Sequence, residues 1–183
     1  MDKSYTYTLI FMVLVSMILT SILAVSNAAF LPTINANAWK AEQEAILDAF
    51  GITVDNPEDF FEKNVKEKDF GVVKGFELTG DLEAYALPFE GAGLWGTIRG
   101  YLALDKDLDE ILGITFTDQS ETPGLGGRIE EPQFRDQFRQ VVFKPLKYDS
   151  ELQAITGATQ TSNSVLRIIN NFYDQVLPKL EVN

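Results

Sequence analysis

The chain contains no cysteine and no histidine. Without a thiol there is no disulfide, no thiolate nucleophile and no cysteine-ligated iron–sulfur cluster. Without an imidazole there is no Ser-His-Asp triad and no side chain whose unperturbed titration falls near neutrality. Basic residues are also scarce, with 15 Lys and Arg against 27 Asp and Glu, for a net charge of −12. Such a surface repels phosphate backbones and anionic headgroups, which argues against nucleic acid as a partner. A metal held by carboxylates alone stays open. Redox chemistry, if present, has to come from an organic cofactor.

Charge is missing altogether from Ser4 to Trp39, and Tyr7–Val25 is a nearly unbroken apolar run. At about 1.5 Å per helical residue that run spans roughly 28 Å, close to the hydrocarbon thickness of a bilayer. The hydroxyls of Thr8, Ser16, Thr20 and Ser21 can return to the helix's own carbonyls. A cleavable signal peptide is the competing reading, with Ala36-Asn37-Ala38 as its small-residue site and Lys3 as a minimal basic region. The run is long for a signal sequence, and that site lies well beyond its end. A retained transmembrane anchor over residues 1–38 is therefore expected, followed by a domain over residues 39–183. Asp2 and Lys3 cancel, so the whole net charge lies on residues 40–183. No basic cluster follows the helix, which places the N-terminus in the cytoplasm and the domain outside it.

Within the outer domain, Ala38, Ala41, Ala45 and Ala49, widened by Ile46 and Phe50, predict an amphipathic helix over 38–50 that Gly51 ends. Asn56-Pro57 reads as an N-cap followed by Pro at the first helical position, opening a helix that ends before Phe70. The period then changes to two. Strands are expected over Val72–Leu78, Leu82–Leu87, Ile98–Leu104 and Ile111–Thr117. Asp105, Asp107 and Asp109 alternate as in a calcium loop, but Glu110 and Phe116 stand where such a loop needs Gly and Glu, so this is a hairpin turn. A short helix from Glu131-Pro132, a strand around Val141–Phe143 and a last helix over 162–177 complete the domain. The last helix buries a stripe of Val165, Leu166, Ile169, Phe172, Tyr173 and Val176. The sum is an α+β fold, an antiparallel sheet of roughly four to six strands with helices packed against it.

Two segments bear on chemistry. Thr156-Gly157-Ala158-Thr159-Gln160-Thr161-Ser162 stands where the last helix begins. Its small residues admit a close approach to the backbone, and the free N–H groups and dipole of a helix start favour phosphate. On these grounds alone an ordinary N-cap explains the stretch equally. The loop Gln119–Gly127 contains Glu121, Thr122, Pro123-Gly124, Leu125 and Gly126. Pro-Gly suits the centre of a type II turn. Leu125 between glycines could cover a flat ring and Glu121 could accept from its N–H edge, or the loop could be a plain connector. Trp95 is open between core packing and a ring neighbour.

In order and spacing, Gly93-Leu94-Trp95-Gly96, Glu121-Thr122-Pro123-Gly124-Leu125-Gly126-Gly127 and Thr156-Gly157-Ala158-Thr159-Gln160-Thr161-Ser162 resemble one family. It is that of NqrC, from the sodium-pumping NADH:quinone oxidoreductase, and RnfG, from the Rnf ferredoxin:NAD oxidoreductase complex. The resemblance implies FMN esterified through its phosphate to Thr161 by a Mg-dependent flavin transferase that uses FAD. It further implies cofactor contacts from Thr156, Gly157, Ala158, Thr159, Ser162, Glu121, Thr122, Gly124, Leu125, Gly126 and Trp95. The implied function is electron transfer among the flavin and iron–sulfur subunits of a Na⁺- or H⁺-translocating membrane complex, with no substrate-converting site of its own. The alternative is a standalone membrane-tethered flavin domain for extracellular electron transfer. One departure stands out: the pattern's Asp three residues before the Thr-Gly-Ala-Thr core is Gln153 here, and Asp149 is too early to replace it.

Overall fold

The computed structural model describes residues 3–80, 82–148 and 151–181. Asp2 and Asp149, named above, lie outside them. Two compact units, Met1–Ala41 and Glu42–Asn183, are described separately.

The first unit is the apolar part of helix α1 (Lys3–Ala49), which contains Pro32. Proline removes one helical hydrogen bond, here the one to the Ala28 carbonyl. Its Leu, Ile, Val, Met and Phe side chains are exposed along the whole run, a surface far larger than water tolerates on a soluble protein. The helix is long and apolar enough to cross a membrane. The separate helix expected over 38–50 is not separate: α1 continues through Ser26–Asn37 and past Pro32.

In the second unit α1 ends as expected. Gly51 N–H reaches Asp48 O and Ile52 N–H reaches Leu47 O, both at 2.9 Å, the two bonds of a Schellman closure. Helix α2 (Pro57–Asn64) is capped by the Asn56 side chain. Then come β1 (Val65–Asp69), β2 (Lys74–Leu78), β3 (Ala84–Ala92), β4 (Thr97–Asp105), β5 (Glu110–Asp118), a 3₁₀ turn at Gly126–Glu130, α3 (Pro132–Arg135), β6 (Val141–Val142) and α4 (Thr159–Gln175). The six strands form one sheet in the order β1-β2-β3-β4-β5-β6, each antiparallel to its neighbour.

Both faces of the sheet are covered, and the alternation along each strand assigns them. From β3 and β4, Tyr85, Leu87, Phe89, Leu102 and Leu104 join Val165, Ile168, Ile169 and Phe172 of α4. Ala84, Ala86, Tyr101 and Ala103 face the other way, onto Ile46, Leu47, Ala49 and Phe50 of α1 and Phe61 of α2. Asp48 pairs with Arg135 and Arg139, fastening the end of α1 to the α3 region. The Asp105–Glu110 turn is the expected hairpin: Asp105 Oδ1 accepts the backbone N–H groups of Asp109 and Glu110 at 3.0 Å.

Two further expectations are corrected. Strand β1 is absent from the pattern-based reading, because Val-Lys-Glu-Lys-Asp buries one side chain in five and shows no apolar alternation; charged edge strands protect a sheet from further pairing. Helix α4 begins at Thr159 rather than at 162, and its stripe includes Ile168, while Leu166, Tyr173 and Val176 are only partly buried.

Candidate functional site

Three loops meet at the N-terminus of α4. The first is the tip of the β3–β4 hairpin, closed by Gly93 N–H on Gly96 O at 2.7 Å. Arg167 of α4 donates to Ala92 O at 2.8 Å, holding that hairpin against the helix. The second is the loop after β5. Here Leu125 N–H returns to Thr122 O at 3.1 Å around Pro123-Gly124, and Gly124 has φ +74, the turn the dipeptide predicts. The third is the segment leading into α4, where Ala158 is the N-cap and no side chain caps the helix.

The first intrahelical bond of α4 is Ser162 N–H to Ala158 O. The backbone N–H groups of Thr159, Gln160 and Thr161 therefore have no intrahelical acceptor, which makes the helix start a seat for an anion. Thr161 sits in this first turn and is only 2% exposed. Its Oγ1 donates to Glu121 Oε2 at 2.5 Å. The other oxygen of Glu121 accepts the N–H groups of Leu94 at 2.8 Å and Trp95 at 3.0 Å. Glu121 is itself buried at 4%, so one carboxylate ties the three loops together. Gly126 fits against this junction because it has no side chain: a Cβ there would lie 2.5 Å from Thr161 Oγ1 and 2.9 Å from Glu121 Oε2.

Beside the junction opens a cleft of about 420 Å³ lined by Leu94, Trp95, Thr122, Leu125, Gly126, Gly157, Ala158, Thr159, Gln160 and Thr161. That volume lies in the range of roughly 300–1,000 Å³ common to small-molecule sites. Trp95 is 69% exposed and Leu125 48%. Such apolar area held at loop tips suits a flat, partly apolar ring, and the free N–H groups suit a phosphate. A phosphorylated ring cofactor thus fits the residues present.

Most residues implied by resemblance come together here: Thr161, Gly157, Ala158, Thr159, Thr122, Leu125, Gly126 and Trp95 line the cleft, and Gly124 forms the turn beside it. Three other implied residues stand outside the cleft lining. Glu121 is held within the protein, its oxygens accepting from Leu94, Trp95 and Thr161 behind the cleft wall. Ser162 is fully buried; its Oγ donates to Ala158 O and accepts Ile155 N–H, so it braces the segment. Thr156 faces a neighbouring cleft of about 190 Å³ shared with Arg128 and Gln153. Trp95, open between core and site, is not core. Sequence reasoning missed Leu94 and Gln160 as lining residues, although both lie within the strings that carry the resemblance. Tyr148, whose hydroxyl donates to Ser162 O at 2.7 Å, was also missed; burial pushes its phenol pKa up.

Residues 93–174 match the family described as the FMN-binding domain. The Na⁺-translocating NADH-quinone reductase component NqrC of Pasteurella multocida is 40% identical over 100 residues, covering 47% of this chain and 38% of that protein. Its counterpart in Vibrio alginolyticus is 30% identical over 146 residues, covering 72% and 57%. The chain thus matches about half or less of the length of these curated relatives. Among solved structures, the corresponding reductase component of Parabacteroides distasonis superposes with a TM-score of 0.63 at 26% identity, covering 80% of this chain and 94% of that one. The NqrC structure of Shewanella oneidensis, at 20% identity and a TM-score of 0.64 over 74% and 93%, shares the fold. The chain is thus similar to NqrC proteins over much of its length and shares their fold, and its residues 93–174 match the FMN-binding domain family.

Proposed function

We propose that this chain is a single-pass membrane electron-transfer subunit of a Na⁺-translocating NADH:quinone reductase-type complex, holding FMN covalently through a phosphoester to Thr161. The observation that carries this reading is the hydroxyl of Thr161 in the first turn of α4, at the edge of a cleft with exposed apolar walls. The N–H groups of Thr159, Gln160 and Thr161 would hold the phosphate, and the positive end of the helix would offset its charge. Leu94, Trp95 and Leu125, which line the cleft, would cover the ring. FMN bound there would supply the redox chemistry. No residue of the chain has to act as an acid or base in that relay, consistent with the lack of His and Cys.

Two units follow from this reading: an anchor over residues 1–38 and an extracytoplasmic flavin domain over residues 39–183. Partners are the other flavin and iron–sulfur subunits of the complex, and a flavin transferase during maturation. The names of the curated relatives favour the quinone reductase over an Rnf-type complex.

The test is Thr161→Ala expressed with the transferase, read by in-gel flavin fluorescence after denaturation and by intact mass. The wild-type band fluoresces and gains the mass of an FMN ester; the variant does neither. A fluorescent denatured Thr161→Ala band moves the ester elsewhere and removes the reading.

A further inference from the structure

At 2% exposure, the side chain that a second enzyme has to esterify is among the least accessible in the domain. Its Oγ1 is held on one side by Glu121 Oε2 at 2.5 Å and packed on another by Gly126, where even a methyl group would collide. Its neighbour Ser162 is fully buried and bonded to both Ala158 O and Ile155 N–H. The carboxylate that holds Thr161 is in turn fixed by the hairpin tip through Leu94 and Trp95 N–H, and by Gln119, which accepts the Glu121 N–H at 2.5 Å. Attack on phosphorus requires a lone pair of Oγ1 to face the phosphate, with room for the flavin on one side and the enzyme on the other. In the closed arrangement the cleft leaves room for the flavin beside Thr161, but Oγ1 itself is turned to Glu121 and screened by Gly126 and its own burial.

Resting on the assignment of the ester to Thr161, we infer that the Thr161–Glu121 hydrogen bond is a latch that withholds the acceptor hydroxyl, and that attachment proceeds only from an opened form and then abolishes the latch. In the attachment step Thr161 Oγ1 bonds to the phosphorus of the FMN half of FAD, and the phosphoanhydride bond breaks. Adenosine monophosphate leaves with the bridging oxygen, and the hydroxyl proton passes to a base of the transferase. No redox change occurs. Once esterified, Oγ1 has no proton to donate. Two acceptors then face each other where one donor bond stood, and the Glu121 carboxylate meets a phosphodiester anion, so the closed apo arrangement cannot re-form. The groups facing that carboxylate are the Thr161 hydroxyl, the N–H groups of Leu94 and Trp95, and Gly93 and Gly126. None is titratable.

Glu121→Gln separates a latch from a catalytic base, because the two roles predict opposite signs. Glutamine keeps the length and a carbonyl for Leu94 and Trp95, but replaces a charge-assisted bond to Thr161 with a neutral one of about half the strength. Purified apo full-length protein in detergent is mixed with FAD, Mg²⁺ and limiting transferase, and covalent flavin is followed by intact mass. Glu121→Gln should attach flavin about five- to tenfold faster than wild type. An unchanged or slower rate overturns the latch; a loss of about 10²-fold would make Glu121 the proton acceptor instead.

A second readout needs no transferase. The chain has no cysteine, so Thr161→Cys and the exposed control Gln160→Cys each carry one thiol. Alkylation at 161 should lag that at 160 by at least about tenfold in apo protein, and adding Glu121→Gln should narrow the gap. Equal rates at the two positions would show no closed state and overturn the inference, even with Glu121→Gln folded poorly. Failure of the Thr161 assignment itself shows separately, as flavin attached to Thr161→Ala.

Discussion

Gly126→Ala tests the packing at the centre of the site. The φ of Gly126 is not in the left-handed region, so alanine is allowed there and would by itself stabilise by about 0.4–1 kcal/mol through the unfolded chain. Against this stands the methyl group, 2.5 Å from Thr161 Oγ1 and 3.0 Å from Glu121 Cβ, about 0.9 and 0.4 Å short of ordinary contact at 3.4 Å. Relief comes either by turning Thr161 away from Glu121, losing a charge-assisted bond of about 1.5–3 kcal/mol, or by shifting the loop, an overpacking cost of about 1–3 kcal/mol. Either route exceeds the gain. The apo protein should lose roughly 0.5–2.5 kcal/mol, a fall in Tm of about 2–8 °C for a domain of this size. The assay is thermal unfolding of detergent-solubilised apo protein followed by far-UV circular dichroism, comparing Gly126→Ala with Gly124→Ala. A Cβ at 124 meets nothing within 4 Å, but the backbone has φ +74, so that variant reports strain without collision. A Gly126→Ala protein at or above the wild-type Tm would refute the tight junction. Covalent flavin should still be acquired, since only the closed form is strained.

Three further outcomes are expected. A chain beginning at residue 39 should fold and accept flavin without detergent, whereas one beginning at residue 51 should not fold. The second loses Ile46, Leu47 and Phe50, all buried and worth roughly 5–9 kcal/mol together, comparable to a whole domain's stability of about 5–15 kcal/mol; a sharp melt from the shorter chain would contradict this. Leu125→Asp should leave the ester intact and lower the flavin's potential by about 40 mV, the effect of about 1 kcal/mol from a partly solvated charge near the ring; unchanged redox titration and absorption would make the loop a connector. In the β4–β5 turn the charge of Asp105, followed by desolvation, raises the Asp109 pKa above its ordinary value. A raised carboxyl pKa makes ionisation work against the folded state, and that handicap fades as pH falls through the folded value. Asp109→Asn should therefore raise Tm at neutral pH and lose its advantage near about pH 3, and a gain constant across that range would show another cause.

The sequence made some of this legible and hid the rest for physical reasons. The Asn56-Pro57 cap, the Gly51 closure and the β2 to β5 alternation act between residues close in sequence, and each appears where expected. β1 carries its pairing in the backbone, while its side chains are those of a solvated edge. The start of α4 is displaced from its expected place because Ala158 offers no capping side chain, so the hydroxyls at 161 and 162 look like caps. Thr161 and the glycines could be named from local pattern. The role of Glu121 could not, because its partners lie 26, 27 and 40 residues away. A carboxylate before Pro-Gly looks the same whether it meets a ligand or closes the site itself.

The strand order has a consequence for timing. Each strand of the sheet pairs with the one just before it in the chain, so β1 to β5 can zip in sequence as the polypeptide emerges, with little loop entropy to overcome at any step. Helix α4 is different: it docks back across β3 and has to wait for its own synthesis. Between completion of β5 and arrival of α4, the hairpin tip and the loop bearing Glu121 already exist while Thr161 is still undocked. On that order the Thr161–Glu121 bond is among the last contacts of the junction to close, since it needs α4 in place.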